Sequence, residues 1–353
     1  MKVVTIIGAR PQFIKAAVLS RRFRKTQQIK EVIVHTGQHF DENMSEVFFE
    51  EMGIPHPHYN LYVHSLPHGA MTGRMLEEIE KVLLCEKPDW VLVYGDTNST
   101  LAGALAAKKL HIKLAHVEAG LRSFNMNMPE EINRIIADRI SDLLFCPTAN
   151  AMQNLKNEGF ERFKCRIVQS GDVMQDAALY YANFARKPFF EVPPRFILCT
   201  IHRAENTDNP DRLRQIATAL KEISSQIPIV LPVHPRTRQK IDNTTFLGSQ
   251  VMLVNPVGYL EMIYLLQHCE LVMTDSGGLQ KEAFFFRKVC VTLREETEWV
   301  ELVEQQVNIL TGTKTQNIVA AVAEAMQRQV SFDLSLYGNG EAAAVIEKEL
   351  LKG

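Results

Sequence analysis

Lys2-Val3-Val4-Thr5-Ile6-Ile7-Gly8, followed by Ala9-Arg10-Pro11, opens the chain and decides how the rest of it is read. A short run rich in β-branched residues stops at a glycine, and a helix-like stretch carrying Lys15 follows. The same strand-then-helix pattern recurs outward at EVIVHTG (31–37), WVLVYGD (90–96), IKLAHVE (112–118) and RIVQSGD (166–172). It pauses over NFARKPFFEVPP (183–194), where three prolines and the lack of a period mark a linker. It restarts with RFILCTIH (195–202), IPIVLPVH (227–234), ELVMTDS (270–276), VCVTL (289–293) and VNIL (307–310). Repeated βα units predict parallel sheets. The chain is therefore expected to be α/β, with two Rossmann-like, doubly wound domains facing one another across a cleft. Residues 1–182 form the first, 195–335 the second, and 336–353 a terminal helix entered through Tyr337-Gly338-Asn339-Gly340.

The length of 353 residues agrees with that division, being too great for one ordinary core. Lys plus Arg number 39 against 41 Asp plus Glu, a net charge of −2, so composition gives no support to nucleic-acid or membrane-surface binding. The apolar fraction of 46% can build sizeable cores, and no apolar run approaches the ~18 residues of a membrane span. The first apolar stretch is too short for a signal-peptide core and is cut off by Arg10 and Pro11, which predicts a cytoplasmic protein. Cys85, Cys146, Cys165, Cys199, Cys269 and Cys290 are scattered without CxxC or Cys/His ligand spacing. Neither a metal site nor a disulfide framework is expected, and the thiols are read as buried and free.

In open parallel sheets ligands collect beyond the carboxyl ends of the strands, so those ends carry the functional reading. After the first strand only Gly8 of a GxGxxG pattern is present, which argues against a nicotinamide site. Arg10 and Lys15 instead bring two cations to a helix start, suited to an anion such as a diphosphate, or simply solvated. Asp96 ends the third of these strands; an N-cap would explain it alone. Glu118 ends the next, where a cap explains it less well because Ala119-Gly120 follows, and two acids at adjacent strand ends point to chemistry. Glu130 and Glu131 follow Pro129 at a helix start, with Asn133 and Arg134 on the same stretch; the macrodipole accounts for one of the acids, and the segment offers a third carboxylate.

In the second half, His202 lies just past a buried strand, a candidate acid, base or phosphate contact as well as a candidate structural residue. Thr274-Asp275-Ser276-Gly277-Gly278-Leu279-Gln280-Lys281-Glu282 runs from strand through a small-residue turn into a helix. Backbone N–H groups of Ser276, Gly277 and Gly278 would cradle phosphate oxygens, Glu282 would accept from a ribose diol, and Arg294 would present a forked donor.

In order along the chain, GARPQFIK, TGQHF, YGDTNSTLAGALAA, HVEAGLRS, PEEINR, FCPTA, GDVMQDA, IHRAEN, PVHPR, TDSGGLQKEA and YGNGEA resemble the motifs of the non-hydrolysing UDP-N-acetylglucosamine 2-epimerase family. The resemblance spans nearly the whole chain. It implies a GT-B type fold whose last helix packs back on the first domain, a homodimer, and an isomerase working without a redox cofactor. It also implies that Asp96, Glu118, Glu130 and His202 are catalytic. By the same matching, Arg10, Lys15, Ser276, Gly277, Gly278, Glu282 and Arg294 bind the UDP-sugar, and Gln38 with His39 match a family effector site whose neighbouring positions differ here.

Two departures bear on substrate. A longer loop with a pattern such as SPWPEE is replaced by Ser123 to Met128 (SFNMNM), and TERPE is replaced by Thr297-Glu298-Trp299-Val300-Glu301. Both resemble the branch that acts on UDP-2,3-diacetamido-2,3-dideoxy-glucuronic acid and makes its mannuronic acid epimer for surface polysaccharide. Arg122 and Arg134 are the candidate partners for the sugar carboxylate. UDP-N-acetylglucosamine is the alternative substrate, and a glycosyltransferase or a non-catalytic sugar-nucleotide binder are the alternatives of another class. The expected chemistry is elimination of UDP to a glycal and its readdition, because the C2 hydrogen of a hexosamine has no adjacent carbonyl to acidify it.

Overall fold

The protein is described by a computed structural model over residues 1–38, 53, 55–233, 235–241 and 245–353. The side chains of Arg10, Pro235, Arg236 and Leu334 fall outside that description, as do His39 of the TGQHF motif and His234 of PVHPR. Two units make up the chain: Met1–Ala177 together with Ser335–Gly353, and Ala178–Leu334.

The first unit is built on a parallel sheet of β1 (Lys2–Ile7), β2 (Lys30–His35), β3 (Tyr59–Asn60), β4 (Trp90–Tyr94), β5 (Lys113–Val117), β6 (Leu143–Cys146) and β7 (Arg166–Gln169), in the order β3-β2-β1-β4-β5-β6-β7. The second unit has β8 (Ile197–Thr200), β9 (Ile229–Pro232), β10 (Val251–Val254), β11 (Leu271–Thr274), β12 (Cys290–Thr292) and β13 (Asn308–Leu310), in the order β10-β9-β8-β11-β12-β13. Both orders reverse direction beside their first strand, between β1 and β4 and between β8 and β11, the switch point where Rossmann-like sheets take ligands. Helices cover the sheets, so β4 is buried along its whole length and reads in sequence as an unbroken apolar run. Around the first sheet, Val4, Ile6, Val91 and Val93 pack with Met75 and Ile79 of helix His68–Glu86 and with the alanines of helix Asn98–Lys109.

The sequence runs mark ten of these strands and miss β3, β6 and β10. β3 has only two residues, whereas β6 and β10, at four, are no shorter than β8, β9 and β11. The passage between units also lies earlier than the proline-rich segment 183–194. It falls within helix Val173–Tyr181, whose last residue packs its ring edge-on to Tyr259. Segment 183–194 belongs to the second unit: Arg186 N–H donates to Leu260 O at 3.1 Å, and Phe190 and Val192 pack on that unit's core. The return passage is at Leu334 and Ser335.

Within the first unit, Asp172 N–H donates to Tyr337 O at 2.8 Å. Gly171, at φ +80°, approaches that backbone so closely that a Cβ would meet Tyr337 O at 2.8 Å. Asp176 then receives the free N–H groups of Ala342 (3.1 Å) and Ala343 (2.9 Å) at the start of helix Ala342–Leu351, satisfying donors that a helix N-terminus leaves open. Glu347 of that helix accepts from Arg22 Nε at 2.6 Å on helix Arg10–Thr26. Cys146, Cys199, Cys269 and Cys290 are buried as expected, but Cys165 is half-buried and Cys85 is exposed at the end of helix His68–Glu86. No helix among the described residues is long and apolar enough to cross a membrane.

Candidate active site

In the first unit the candidate residues stand on the loops after β1, β4 and β5. Gln12, on the first turn of helix Arg10–Thr26, ties the first two loops together. Its Oε1 accepts from Gly8 N (2.8 Å) and Ala9 N (3.0 Å), while its Nε2 donates to Tyr94 O (2.9 Å) and to the hydroxyls of Thr97 and Thr100 (3.0 Å each). Gly8 is required there because a Cβ would run into the hydroxyls of Thr36 and Ser99. Lys15, one turn further on, forms an ion pair with Glu118. Nothing is shown of the Arg10 side chain, so only Lys15 of the expected cation pair is placed.

Asp96 is not the cap of the helix that follows it. Thr97 takes that part, its hydroxyl accepting from Thr100 N at 3.3 Å, which leaves the Asp96 carboxylate for other partners. Arg134 forms an ion pair with it and also donates to Glu131 Oε2 at 2.7 Å. Asn133 Nδ2 holds the Asp96 carbonyl at 2.9 Å. Helix Pro129–Ile140 thus presents Asn133 and Arg134 to the end of β4.

The two acids after Pro129 have opposite environments. Glu130 is exposed, whereas Glu131 is buried and accepts from Ser123 N (2.9 Å), Ser123 Oγ (2.9 Å) and Phe124 N (3.1 Å), so it anchors the SFNMNM loop. That loop turns its apolar side chains outward, with Phe124 and Met126 both largely exposed.

Glu118 itself has a left-handed backbone, φ +71°, as do Gly95 (+60°) and Gly120 (+80°). For a non-glycine residue that conformation costs about 1–2 kcal/mol and persists only where neighbours fix it. Here Glu118 N and Ala119 N both donate to Phe145 O (3.1 and 3.0 Å), and Gly120 N to Asp138 Oδ2 (3.1 Å). Asp138 is fully buried. Burial alone would raise its carboxyl, but hydrogen bonds and charge from His116 and Arg122 outweigh it and hold it below the ordinary carboxylate range. Arg122, one of the two arginines expected at the sugar, is taken up by this structure: its guanidinium donates to Asp138 (2.7 Å), to Leu121 O (2.7 Å) and through two nitrogens to Glu158 (2.6 and 2.8 Å). Arg134 is the one placed beside a candidate acid.

In the second unit, His202 follows β8 and is half exposed. Its Nδ1 lies 3.1 Å from Asp275 Oδ1, so Nδ1 carries the hydrogen and Nε2 is the nitrogen left for a ligand. Asp275, fully buried beyond β11, also accepts from His202 N (3.1 Å), Arg203 N (3.1 Å) and Asn206 Nδ2 (3.0 Å). Burial would raise this carboxyl too, and the His202 and Asn206 contacts bring it below its usual value.

Ser276 caps helix Gly277–Phe285, its hydroxyl accepting from Leu279 N at 3.4 Å. Gly277 sits where a side chain would strike Glu298 Oε1. Glu298 Oε2 accepts from Arg294 Nη1 at 2.9 Å, so a carboxylate and its guanidinium partner lie against the opening turn. Glu282 is buried within the same helix. Gln12, Glu131, Asp138, Asp275 and Glu298 were not among the expected site residues. Asp275 lies inside the quoted TDSGG run, but its partners His202, Arg203 and Asn206 come from past β8, while Glu131 differs from Glu130 through the Ser123 and Phe124 groups it holds. Gln38 Oε1 accepts from Ser99 N (3.1 Å) and Ser99 Oγ (2.8 Å), fixing one member of the expected effector pair.

The family described as UDP-N-acetylglucosamine 2-epimerase matches residues 21–351. The UDP-2,3-diacetamido-2,3-dideoxy-D-glucuronate 2-epimerase of Pseudomonas aeruginosa is 59% identical, over 100% of both chains. The crystal structure of Methanocaldococcus jannaschii UDP-GlcNAc 2-epimerase in complex with UDP-GlcNAc and UDP aligns with a TM-score of 0.91 at 43% identity, over 100% of both chains. That of the Neisseria meningitidis UDP-GlcNAc 2-epimerase bound to UDP-GlcNAc gives 0.91 at 30% identity, again over 100% of both.

Proposed function

The chain belongs to the UDP-N-acetylglucosamine 2-epimerase family, isomerases of UDP-sugars, and from that premise we propose that it inverts C2 of UDP-2,3-diacetamido-2,3-dideoxy-D-glucuronate to give the D-mannuronate epimer for surface polysaccharide. The observation that carries the chemistry is that Asp96 and Glu118, at adjacent strand ends, are each held by a cation, Arg134 and Lys15. Two oriented carboxylates are what removal of a proton from one face of C2 and its return to the other face require.

The C2 hydrogen leaves as the anomeric C–O bond breaks, the bonding pair departing on UDP, so that a neutral glycal is the intermediate. UDP then adds back at the anomeric carbon while C2 is protonated on the opposite face. Asp96 and Glu118 handle the C2 proton in this reading, and the exposed Glu130 and the Nε2 of His202 assist orientation and the leaving group. The N–H groups of Gly277 and Gly278, with Arg294, take the diphosphate, the Ser276 N–H being donated to the Thr274 hydroxyl at 2.9 Å, and Glu282 takes the ribose. The protein works in this reading as a cytoplasmic homodimer.

The substrate assignment is supported by the 59% identical relative and by the SFNMNM loop that Glu131 holds in place. Arg134 is the arginine offered to the C6 carboxylate. UDP-N-acetylglucosamine is the second reading, supported by the complexes of the two structural relatives.

Side-by-side incubation with the two UDP-sugars, without any acceptor, separates them: turnover of the diacetamido-uronate is expected, and turnover of UDP-N-acetylglucosamine alone would overturn the substrate. Product formed in D₂O is expected to carry deuterium at C2. An epimer that kept its original hydrogen would exclude the elimination route.

A further inference from the structure

His116 takes no part in the reaction as assigned above, yet it is fully buried in β5 and touches the supports of both acid-bearing turns. Its Nε2 lies 2.7 Å from Gly95 O, one residue before Asp96. Its Nδ1 lies 2.7 Å from Asp138 Oδ1, and the other oxygen of Asp138 accepts from Gly120 N–H, two residues after Glu118. A backbone carbonyl only accepts, and so does a carboxylate that already takes an amide and a guanidinium. Both ring nitrogens therefore face acceptors, from a ring with no exposure to solvent. The charged and titratable groups facing it and its partner are Asp138 and Arg122, with Glu158 beyond Arg122, and the Cys146 thiol on β6, which burial pushes up.

The turns it joins lie just past the strand ends, where Gly95, Glu118 and Gly120 are all left-handed, and Phe145 O holds the Glu118 turn from the neighbouring strand. Gly95 N–H donates to Val117 O at 3.0 Å and its carbonyl is taken by His116, so both backbone groups of the residue before Asp96 are bound.

We propose that the buried His116–Asp138 pair is a positioning device for catalysis, fixing the spacing between the Asp96 and Glu118 turns. This role rests on the epimerase reading. His116 and Asp138 act through the turns rather than on the sugar.

Wild-type protein with ¹⁵N-labelled histidine gives the first test. Both ring nitrogens of His116 are expected to carry a hydrogen in the folded enzyme. A ring with one bare nitrogen would overturn the proposal without any variant being made. In steady-state assays, His116→Gln and Asp138→Asn are each expected to lower kcat roughly 100-fold, the scale of a small misplacement of reacting groups. KM and the Kd for UDP should stay within about threefold of wild type. A purely structural contact would instead lower Tm and the yield of folded protein while leaving kcat per folded molecule near wild type, and that result overturns it. If wild type makes no epimer from either UDP-sugar, the functional reading fails, whereas a wild-type enzyme whose variants keep full kcat sinks only the role of His116.

Discussion

The ammonium of Lys15 and the carboxylate of Glu118 form an ion pair across 103 residues of sequence, and both side chains are almost wholly buried. Gly95 makes room for it. A Cβ at Gly95 would stand 3.2 Å from Glu118 Oε2 and 3.3 Å from Lys15 Nζ, on a residue whose φ is +60°. Gly95→Ala is therefore expected to cost about 1–2 kcal/mol from backbone strain alone and to lower kcat by displacing the pair. Chemical denaturation and initial rates on the same preparation check both, and an unchanged midpoint would contradict the strain argument.

The neighbouring acids Glu130 and Glu131 should separate cleanly. Glu131→Gln removes one of the two carboxylates on the buried Arg134 guanidinium, leaving Asp96, and weakens the anchor of the 123–128 loop, at a cost of roughly 1–3 kcal/mol. Glu130→Gln, on an exposed first turn, is expected to change stability by less than about 0.5 kcal/mol, with its effect confined to kcat. Urea midpoints for the two variants decide it; equal losses would mean that the environments do not differ as described.

Asp176 gives a pH dependence of definite sign. Burial outweighs the Ala343 and Ala342 amides and raises its carboxyl from 3.8 to about 6. The folded chain thus holds a proton that the unfolded chain releases, so this group stabilises fully below about pH 4 and the contribution is lost as pH rises through about 6. The gap between 3.8 and about 6 corresponds to roughly 3 kcal/mol. Comparing Tm against pH for wild type and Asp176→Asn should show the wild-type curve falling relative to the variant across that range; parallel curves would refute it.

Gly277 lies under the Glu298 carboxylate. Gly277→Ala must expel that carboxylate, and Arg294, which is held by it, moves too. Affinity for UDP measured by calorimetry is expected to fall about tenfold or more, with the fold of the second unit intact by circular dichroism. Wild-type affinity in this variant would show that the turn does not hold the diphosphate.

Most of the fold is legible in the sequence because a parallel strand covered on both faces must be apolar along its length, as Val3 to Ile7 and Trp90 to Tyr94 are. β3 escapes because two residues carry no period. Asp96, Glu118, His202 and Ser276 are legible for a topological reason, since each lies just past a strand end. What holds them is not. Gln12 reaches Tyr94 across 82 residues, Asp275 meets His202 across 73, and Arg122 and Arg134, indistinguishable in sequence, divide between a structural and a site role through contacts that only the folded chain makes.

The bond from Asp172 to Tyr337 ties together the outgoing and returning passages of the first unit, so residues 178–334 enter and leave at nearly one point. Such a segment has the layout of a cassette. A gene for a relative's second unit could be spliced between the same two passages with little closure entropy to offset, which makes the second unit exchangeable by recombination as a block. The same layout lets residues 178–334 be expressed as one continuous polypeptide, whereas the first unit needs both ends of the gene.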